Sequence, residues 1–371
     1  MAIRKRYLLI AFFVVLIMMA ILALGSFFYA STSPSIEFSP GDSQSTRIEK
    51  TEAWQERLFE TKNFSGAILV IKDGEVLISK CCGYADAARN VELTPQTSMR
   101  LASVSKQFTA AAILVLVEQE LVGLDDLVSK HLKDFPFDDM TVRHLLNMNS
   151  GIPECYMDLA KRHKDELGDW LTISDVPRLI AKYPPSRDSN VNEAHSYCNT
   201  SYVLLAAIVE SASGSSFEDF MAKEIFEPLG MKNTRVWNLA SEDKSFEGKA
   251  ETFLFSLVQS PGFLHGVAGD GSVFCSLDDF IIWDQFWRGN DLVSPELMKC
   301  AFERPTLVDG SSSDYGFGWL LEDHGHGHSG DCLGARTYIY QDDDFFVIIL
   351  NNSSSMIVDT MGLELRRALD D

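Results

Sequence analysis

Residues 99–119 read MRLASVSKQFTAAAILVLVEQ, and the rest of the chain is best understood outward from them. After Ser103 the apolar residues Phe108, Ala111, Ala112, Leu114, Val115 and Val117 keep helical spacing with no Gly or Pro among them. That predicts one buried helix starting near Ser103. Ser103-Val104-Ser105-Lys106 forms an S-x-x-K pattern. One helical turn puts the Lys106 amine on the face of the Ser103 hydroxyl, and helical side chains lean toward the N-terminus, so the amine is aimed at the hydroxyl. A serine there also sits at the positive end of the helix dipole, among N–H groups without helical partners. A nearby base and donors for a developing oxyanion are two requirements of a nucleophilic serine. Alone, the four residues fit an N-cap serine with a snorkelling lysine more simply. Ser241-Glu242-Asp243-Lys244 matches the same pattern in a polar stretch that reads as a solvated turn.

The 371 residues are 46% hydrophobic and 23% charged, a globular balance with ample material for a core. Formal net charge is −21; the first 36 residues carry only Arg4, Lys5 and Arg6, so the remainder stands three lower, at −24. So acidic a body repels phosphate backbones, and no nucleic-acid partner is expected. Arg4-Lys5-Arg6 precedes YLLIAFFVVLIMMAILALGSFFYA, with no charge until Glu37. The run exceeds a signal-peptide core of ~7–15 residues and matches the ~20 that span a bilayer. Residues 1–30 are therefore expected to be a signal-anchor, with the body outside the cytoplasm. Cleavage near Ala23 and Gly25, releasing a secreted protein, is the alternative. Residues 31–50, rich in Ser, Thr and Pro, read as a flexible linker. Seven cysteines without a C-x-x-C spacing suggest neither zinc nor a redox motif, and one disulfide or none.

Residues 51–371 read as one domain. A short helix is expected over 52–62, then a strand pair, 66–72 and 75–79, about Asp73-Gly74. Residues of about 120–264 look helical, with helices over 141–147, 201–211 and 216–226, the last stopped by Pro228-Leu229-Gly230. Strands return at 315–322, 337–341 and 345–351, and a helix over 356–369 ends the chain. The expectation is an α/β (α+β) unit: an antiparallel sheet flanked by helices, built from both chain ends, with an inserted helical subdomain.

Two tripeptides complete the pattern. Tyr197-Cys198-Asn199 precedes the helix expected at Ser201, and His328-Ser329-Gly330 opens a strand-like segment. With Ser103-Val-Ser-Lys-Gln-Phe-Thr109, Gly83-Tyr-Ala-Asp86, Leu124-Asp-Asp126, Arg143-His-Leu-Leu146, Ser150-Gly-Ile-Pro153, Pro228-Leu-Gly-Met231 and Gly269-Asp-Gly271, they occur in one order. In that order the chain resembles the serine β-lactamase-like hydrolases, the group of class C β-lactamases, D,D-peptidases and related esterases. The resemblance implies the β-lactamase/penicillin-binding-protein-like fold and an acyl-enzyme on Ser103. It implies Lys106 as a base kept partly deprotonated by burial and neighbouring positive charge, and Tyr197 as the shuttle to the leaving group, its pKa lowered by a nearby cation. Asn199 would bond the acyl side chain, and the N–H groups of Ser103 and Asp331 would form the oxyanion hole. Whether Lys106 or Tyr197 is the working base stays open.

His328-Ser329-Gly330 replaces the family's K-T-G, and a histidine is mostly neutral at pH 7. That points to ester, amide or D-amino-acid peptide hydrolysis rather than strong β-lactamase activity, with a true β-lactamase or D,D-carboxypeptidase as the alternative. Arg336 is a candidate for the missing cation, alongside its reading as a surface strand residue. Residues 184–194 intervene before Tyr197 where the family has a short turn, and Cys198 should point into the core. His324, His326 and His328 alternate, but the interleaved glycines suggest a turn; no metal and no organic cofactor is expected. His195 and His265 carry no assigned role. The rival readings are a non-catalytic peptidoglycan-binding or scaffolding module of the same fold, and a metallohydrolase using the three histidines.

Overall fold

The structure is a computed structural model describing residues 36–39, 41–61, 64–237, 246, 248–254, 257–258, 262–332, 334–353 and 357–369. The N-terminal apolar run and the second S-x-x-K at 241–244 lie outside the described residues. The chain divides between residues 63 and 64 into two compact units. In the first, helix α1 spans Gln44–Glu60, so the end of the expected linker is helical. Its start is explained by Ser43, whose hydroxyl accepts the Thr46 N–H at 3.2 Å as an N-cap.

In the second unit the strands that frame the site are β1 (Gly66–Lys72), β2 (Glu75–Cys82), β3 (Met99–Arg100), β4 (Arg235–Val236), β5 (Val273–Cys275), β6 (Leu320–Glu322), β7 (Gly325–Cys332), β8 (Ala335–Gln341) and β9 (Phe345–Asn351), beside two small two-stranded ribbons. Six form one antiparallel sheet in the order β6-β7-β8-β9-β1-β2. The N-terminal hairpin thus completes a sheet begun by the C-terminal strands, as expected from the sequence. Strand β1 pairs with β9 from Gly66 opposite Asn351 to Lys72 opposite Phe345. Both are apolar runs buried on both faces, the signature of a sheet covered on each side. A small second sheet, β3-β5-β4, sets Arg100 opposite Phe274 and leads into the Ser103 turn.

Four longer helices organise this unit: α2 (Lys106–Glu118), α3 (Asn199–Ser213), α4 (Leu277–Arg288) and α5 (Val358–Leu369). A 3-10 turn, Ala102–Ser105, runs directly into α2. Helix α2 is buried from Lys106 through Leu116, since α3 packs along it and Phe108 stacks on Trp283 of α4 at 3.8 Å and 7°. Each fully buried Leu or Phe here contributes roughly 1.5–3 kcal/mol, so this helix is a rigid platform rather than a surface element.

The structure departs from the sequence reading in several places. The 216–226 helix passes through a π-helical stretch, Met221–Phe226, and ends at the left-handed Gly230; Pro228 sits inside its last turn. The insertion also holds helices Tyr156–Arg162 and Asp175–Lys182, and it is not wholly helical, because β4 returns to the sheet beside Ser103. The strand expected over 315–322 is confined to β6. Its first half instead lays Gly318 against α2, where a β-carbon would sit 2.8 Å from the Gln107 nitrogen. His326 and His328 lie on β7, not in a turn, because ladders to β6 and β8 on either side hold the glycine-rich segment extended.

Candidate active site

Ser103 opens the site on the 3-10 turn, preceded by Ala102 at a φ of 49°, a left-handed conformation that L-residues rarely adopt. Strain of this kind persists only where the surroundings hold it, and it collects at functional positions. The turn is clamped to the large sheet: Thr337 Oγ1 of β8 donates to Leu101 O at 2.8 Å. Gly330 of β7 lies so close that a β-carbon there would be driven into the Leu101 carbonyl and the Thr337 hydroxyl. Glycine at this position is therefore what lets β7 approach the Ser103 turn.

Lys106 is completely buried, and its amine donates to Ser103 Oγ at 3.1 Å, Asn199 Oδ1 at 2.7 Å and the Asp270 carbonyl at 2.8 Å. Burial pulls its pKa down to about 8, while Asp270, Glu154 and Cys198 oppose the shift. The neighbouring charges are thus acidic rather than basic, a correction to the expectation; desolvation alone depresses this lysine. The Tyr197 hydroxyl hydrogen-bonds Ser103, and the Lys106 amine lies 5.0 Å from the centre of the Tyr197 ring. The phenol is raised rather than lowered: burial moves it well above the ordinary range, opposed by the Ser103 hydrogen bond, and Asp270 and Glu154 raise it further.

Asn199 is on the first turn of α3, two residues earlier than the predicted start. The N-cap of that helix, Cys198, makes no capping bond with its side chain. Glu154 supplies the cap from another segment, accepting the Asn199 N–H at 2.5 Å and the Thr200 hydroxyl at 3.1 Å. Cys198 does point into the core; its thiol is pushed up to about 11 by burial, so it has no catalytic character. Residues 184–194 lace onto the segment before Pro153, with the Asp188 N–H on Gly151 O and the Asn192 N–H on Asn149 O.

His328 is buried and points away from solvent. Its Nδ1 donates to Ser329 O at 2.6 Å, which leaves Nε2 to accept the Tyr315 hydroxyl at 3.0 Å. Burial, helped by the Lys106 charge, holds its pKa down to about 3, so it is neutral. Ser329 and Arg336 are not on the cavity wall. Ser329 Oγ donates to Asp359, and Arg336 is tied to Asp331 at 2.6 Å and faces Asp359 at 3.9 Å, so it is no free cation. Asp331 does line the cavity beside Ser103 and Asn199. His326 bonds Gln341 Oε1 at 3.0 Å, and the described residues contain no group of three residues placed to hold a metal. His195 lies against the Tyr315 ring, whereas His265 lines the cavity and bonds Arg100. All seven cysteines are free.

Sequence reasoning missed Glu154, Asp270, Arg100 and His265. The first two follow or sit within motifs quoted above, Ser150-Gly-Ile-Pro153 and Gly269-Asp-Gly271, but nothing in one sequence says that Asp270 O accepts from Lys106 or that Asp270 Oδ2 accepts from the Tyr156 hydroxyl at 2.9 Å.

Comparison with known proteins agrees with this geometry. A protein-family model described as Beta-lactamase matches residues 52–369. The chain is 33% identical over 281 residues to penicillin-binding protein 4* of Bacillus subtilis (strain 168), covering 72% of this chain and 62% of that protein. It is 30% identical over 282 residues to the D-aminopeptidase of Brucella anthropi, covering 74% of this chain and 53% of that one. The chain thus spans less than two thirds of either relative. An octameric penicillin-binding protein homologue from Pyrococcus abyssi superposes with a TM-score of 0.72 and 28% identity, over 87% of this chain and 77% of that one. The antiparallel sheet, the S-x-x-K turn on a buried helix and the match across residues 52–369 place this chain in the beta-lactamase family.

Proposed function

We propose that the chain is a serine hydrolase that cleaves an ester, amide or D-amino-acid peptide bond through an acyl-enzyme on Ser103. The observation that carries this reading is the fully buried Lys106 amine, hydrogen-bonded to Ser103 Oγ at 3.1 Å with its pKa near 8. At pH 7 roughly a tenth of such a lysine is neutral, enough to accept a proton, whereas an unperturbed lysine offers almost none. Lys106 is then the working base, because the Tyr197 phenol, pushed up by burial, stays protonated and acts as a donor.

In the reaction Ser103 Oγ attacks the carbonyl carbon as its proton passes to Lys106. The oxyanion is received by the N–H groups of Ser103 and Asp331. Asp331 can serve because Arg336 neutralises its carboxylate. The Tyr197 hydroxyl delivers a proton to the leaving group and is reprotonated by the Lys106 ammonium, and water then attacks the ester on Ser103 by the reverse route. Asn199 Oδ1 is occupied by Lys106, which leaves the amide nitrogen for the acyl group. The neutral His328 in place of a lysine supports peptide, amide or ester substrates over β-lactams. The names of the relatives, a D-aminopeptidase and a penicillin-binding protein, favour the same bond classes.

The test is intact mass after treatment of the chain with a serine-reactive phosphonate. One adduct is expected on the wild type and none on Ser103→Ala. A folded wild-type protein that takes no adduct would move the reading to a binding module of the same fold.

A further inference from the structure

Beside Ser103 and Asn199 opens a cavity of about 600 Å³, large enough for an acyl group of several heavy atoms beyond the reacting carbonyl. One wall of it carries Arg100, Trp237, Lys249 and His265. These residues present donors and almost no acceptors. Arg100 Nη1 donates to His265 Nε2 at 3.2 Å, the one hydrogen bond of this guanidinium among the described residues; its buried Nε has no partner. No carboxylate pairs with Arg100 among those residues. The buried Trp237 Nε1 likewise lacks an acceptor, and the Lys249 ammonium lies 5.3 Å from the Trp237 ring centre.

The acids that share the cavity are mostly engaged elsewhere. Asp270 keeps its charge but is tied to the Tyr156 hydroxyl, and Asp331 is paired with Arg336. Glu251 is the remaining lining carboxylate, and among the described residues no ion pair joins it or any other acid to Arg100 or Lys249. An unmatched, partly buried guanidinium is costly in an empty site, and a planar carboxylate matches its fork of donors.

We propose that this wall is a subsite for a carboxylate on the acyl half of the substrate, anchored by Arg100 and supported by Lys249. The inference rests on the serine-hydrolase reading above and names its substrate class: an ester, amide or peptide whose acyl part bears a second carboxylate. The acyl half, not the leaving group, takes the cavity. Tyr197, which serves the leaving group, is 41% exposed and does not line it, so the leaving group departs over an open rim. The acyl half stays bonded to Ser103, at the cavity mouth.

The test compares kcat/KM for mono-p-nitrophenyl adipate and for the same ester with its far carboxyl converted to a primary carboxamide, each corrected for spontaneous hydrolysis. The wild type should prefer the carboxylate ester by at least ~10-fold, the scale of a charge-assisted hydrogen bond. Arg100→Gln should erase most of that preference and Lys249→Gln should reduce it. The ratio cancels any loss of folded protein, and Lys249→Gln reports independently if Arg100→Gln does not fold. A wild-type ratio near one or below would overturn the subsite, as would a large ratio that neither variant changes. No phosphonate adduct on Ser103 would remove the hydrolase reading itself, and the subsite with it, whereas an adduct without turnover of either ester would overturn the subsite alone.

Discussion

The two walls beside Ser103 work by opposite means. On the α3 side, side chains do the contacting: the Tyr197 hydroxyl reaches Ser103 and Asn199 Oδ1 receives Lys106. On the β7 side the strand offers its backbone. His328 turns inward to Tyr315, Ser329 turns outward to Asp359, and Gly330 has no side chain to turn. Strand alternation fixes the second arrangement, since successive residues must face opposite ways. The lesson is that one wall should tolerate no loss of functional groups, whereas the other should tolerate no gain of bulk.

The sharpest way to break the comparison is Tyr197→Phe. Removing the proton donor should lower kcat/KM by ~10²–10⁴-fold, the usual range for general acid–base groups. Turnover within about tenfold of wild type, by that same measure, would reduce Tyr197 to packing. Next comes Gly330→Ala on the opposite wall. The added methyl must push β7 from the Leu101 carbonyl, displacing the Asp331 N–H, and should cost kcat about 10²-fold, the effect of losing one oxyanion donor. A variant that keeps the wild-type kcat while its crystal structure shows β7 displaced would show that the strand does not supply that donor.

The pH profile sharpens the division further. With Lys106 near 8 and required neutral, kcat/KM should fall about tenfold per pH unit below that value and level off above it. An acid limb centred near 6 would assign the titration to another group. The smallest effect belongs to His328→Gln, which keeps an acceptor for Tyr315. Because His328 is already neutral, the loss should stay under about tenfold and the acid limb should not move. A vanished limb would make His328, not Lys106, the titrating group.

Much of this was legible in the sequence because it depends on spacing. The buried helix after Ser103, the hairpin about Asp73-Gly74 and the pairing of strands from both chain ends follow from local periodicity and turn chemistry. So does the meeting of Ser103 and Lys106, since one helical turn separates them whatever surrounds the helix. The site residues that came from ordered motifs, Tyr197 and Asn199, also arrive at Ser103 and Lys106.

What the sequence by itself determined, then, is the meeting of Ser103 with Lys106 and the strands that both chain ends contribute, because each is set by neighbours within a turn or by strand pattern. The tertiary structure decided the rest. It showed that Lys106 is depressed by desolvation among acids, that Glu154 caps a helix whose own N-cap is a cysteine, and that Arg336 is spent on Asp331 while Arg100 faces the cavity. Each of these depends on burial and on which distant segments meet, as when residues 100, 249 and 265 share one wall. Electrostatic consequences of that kind are properties of packing in three dimensions, and no local pattern carries them.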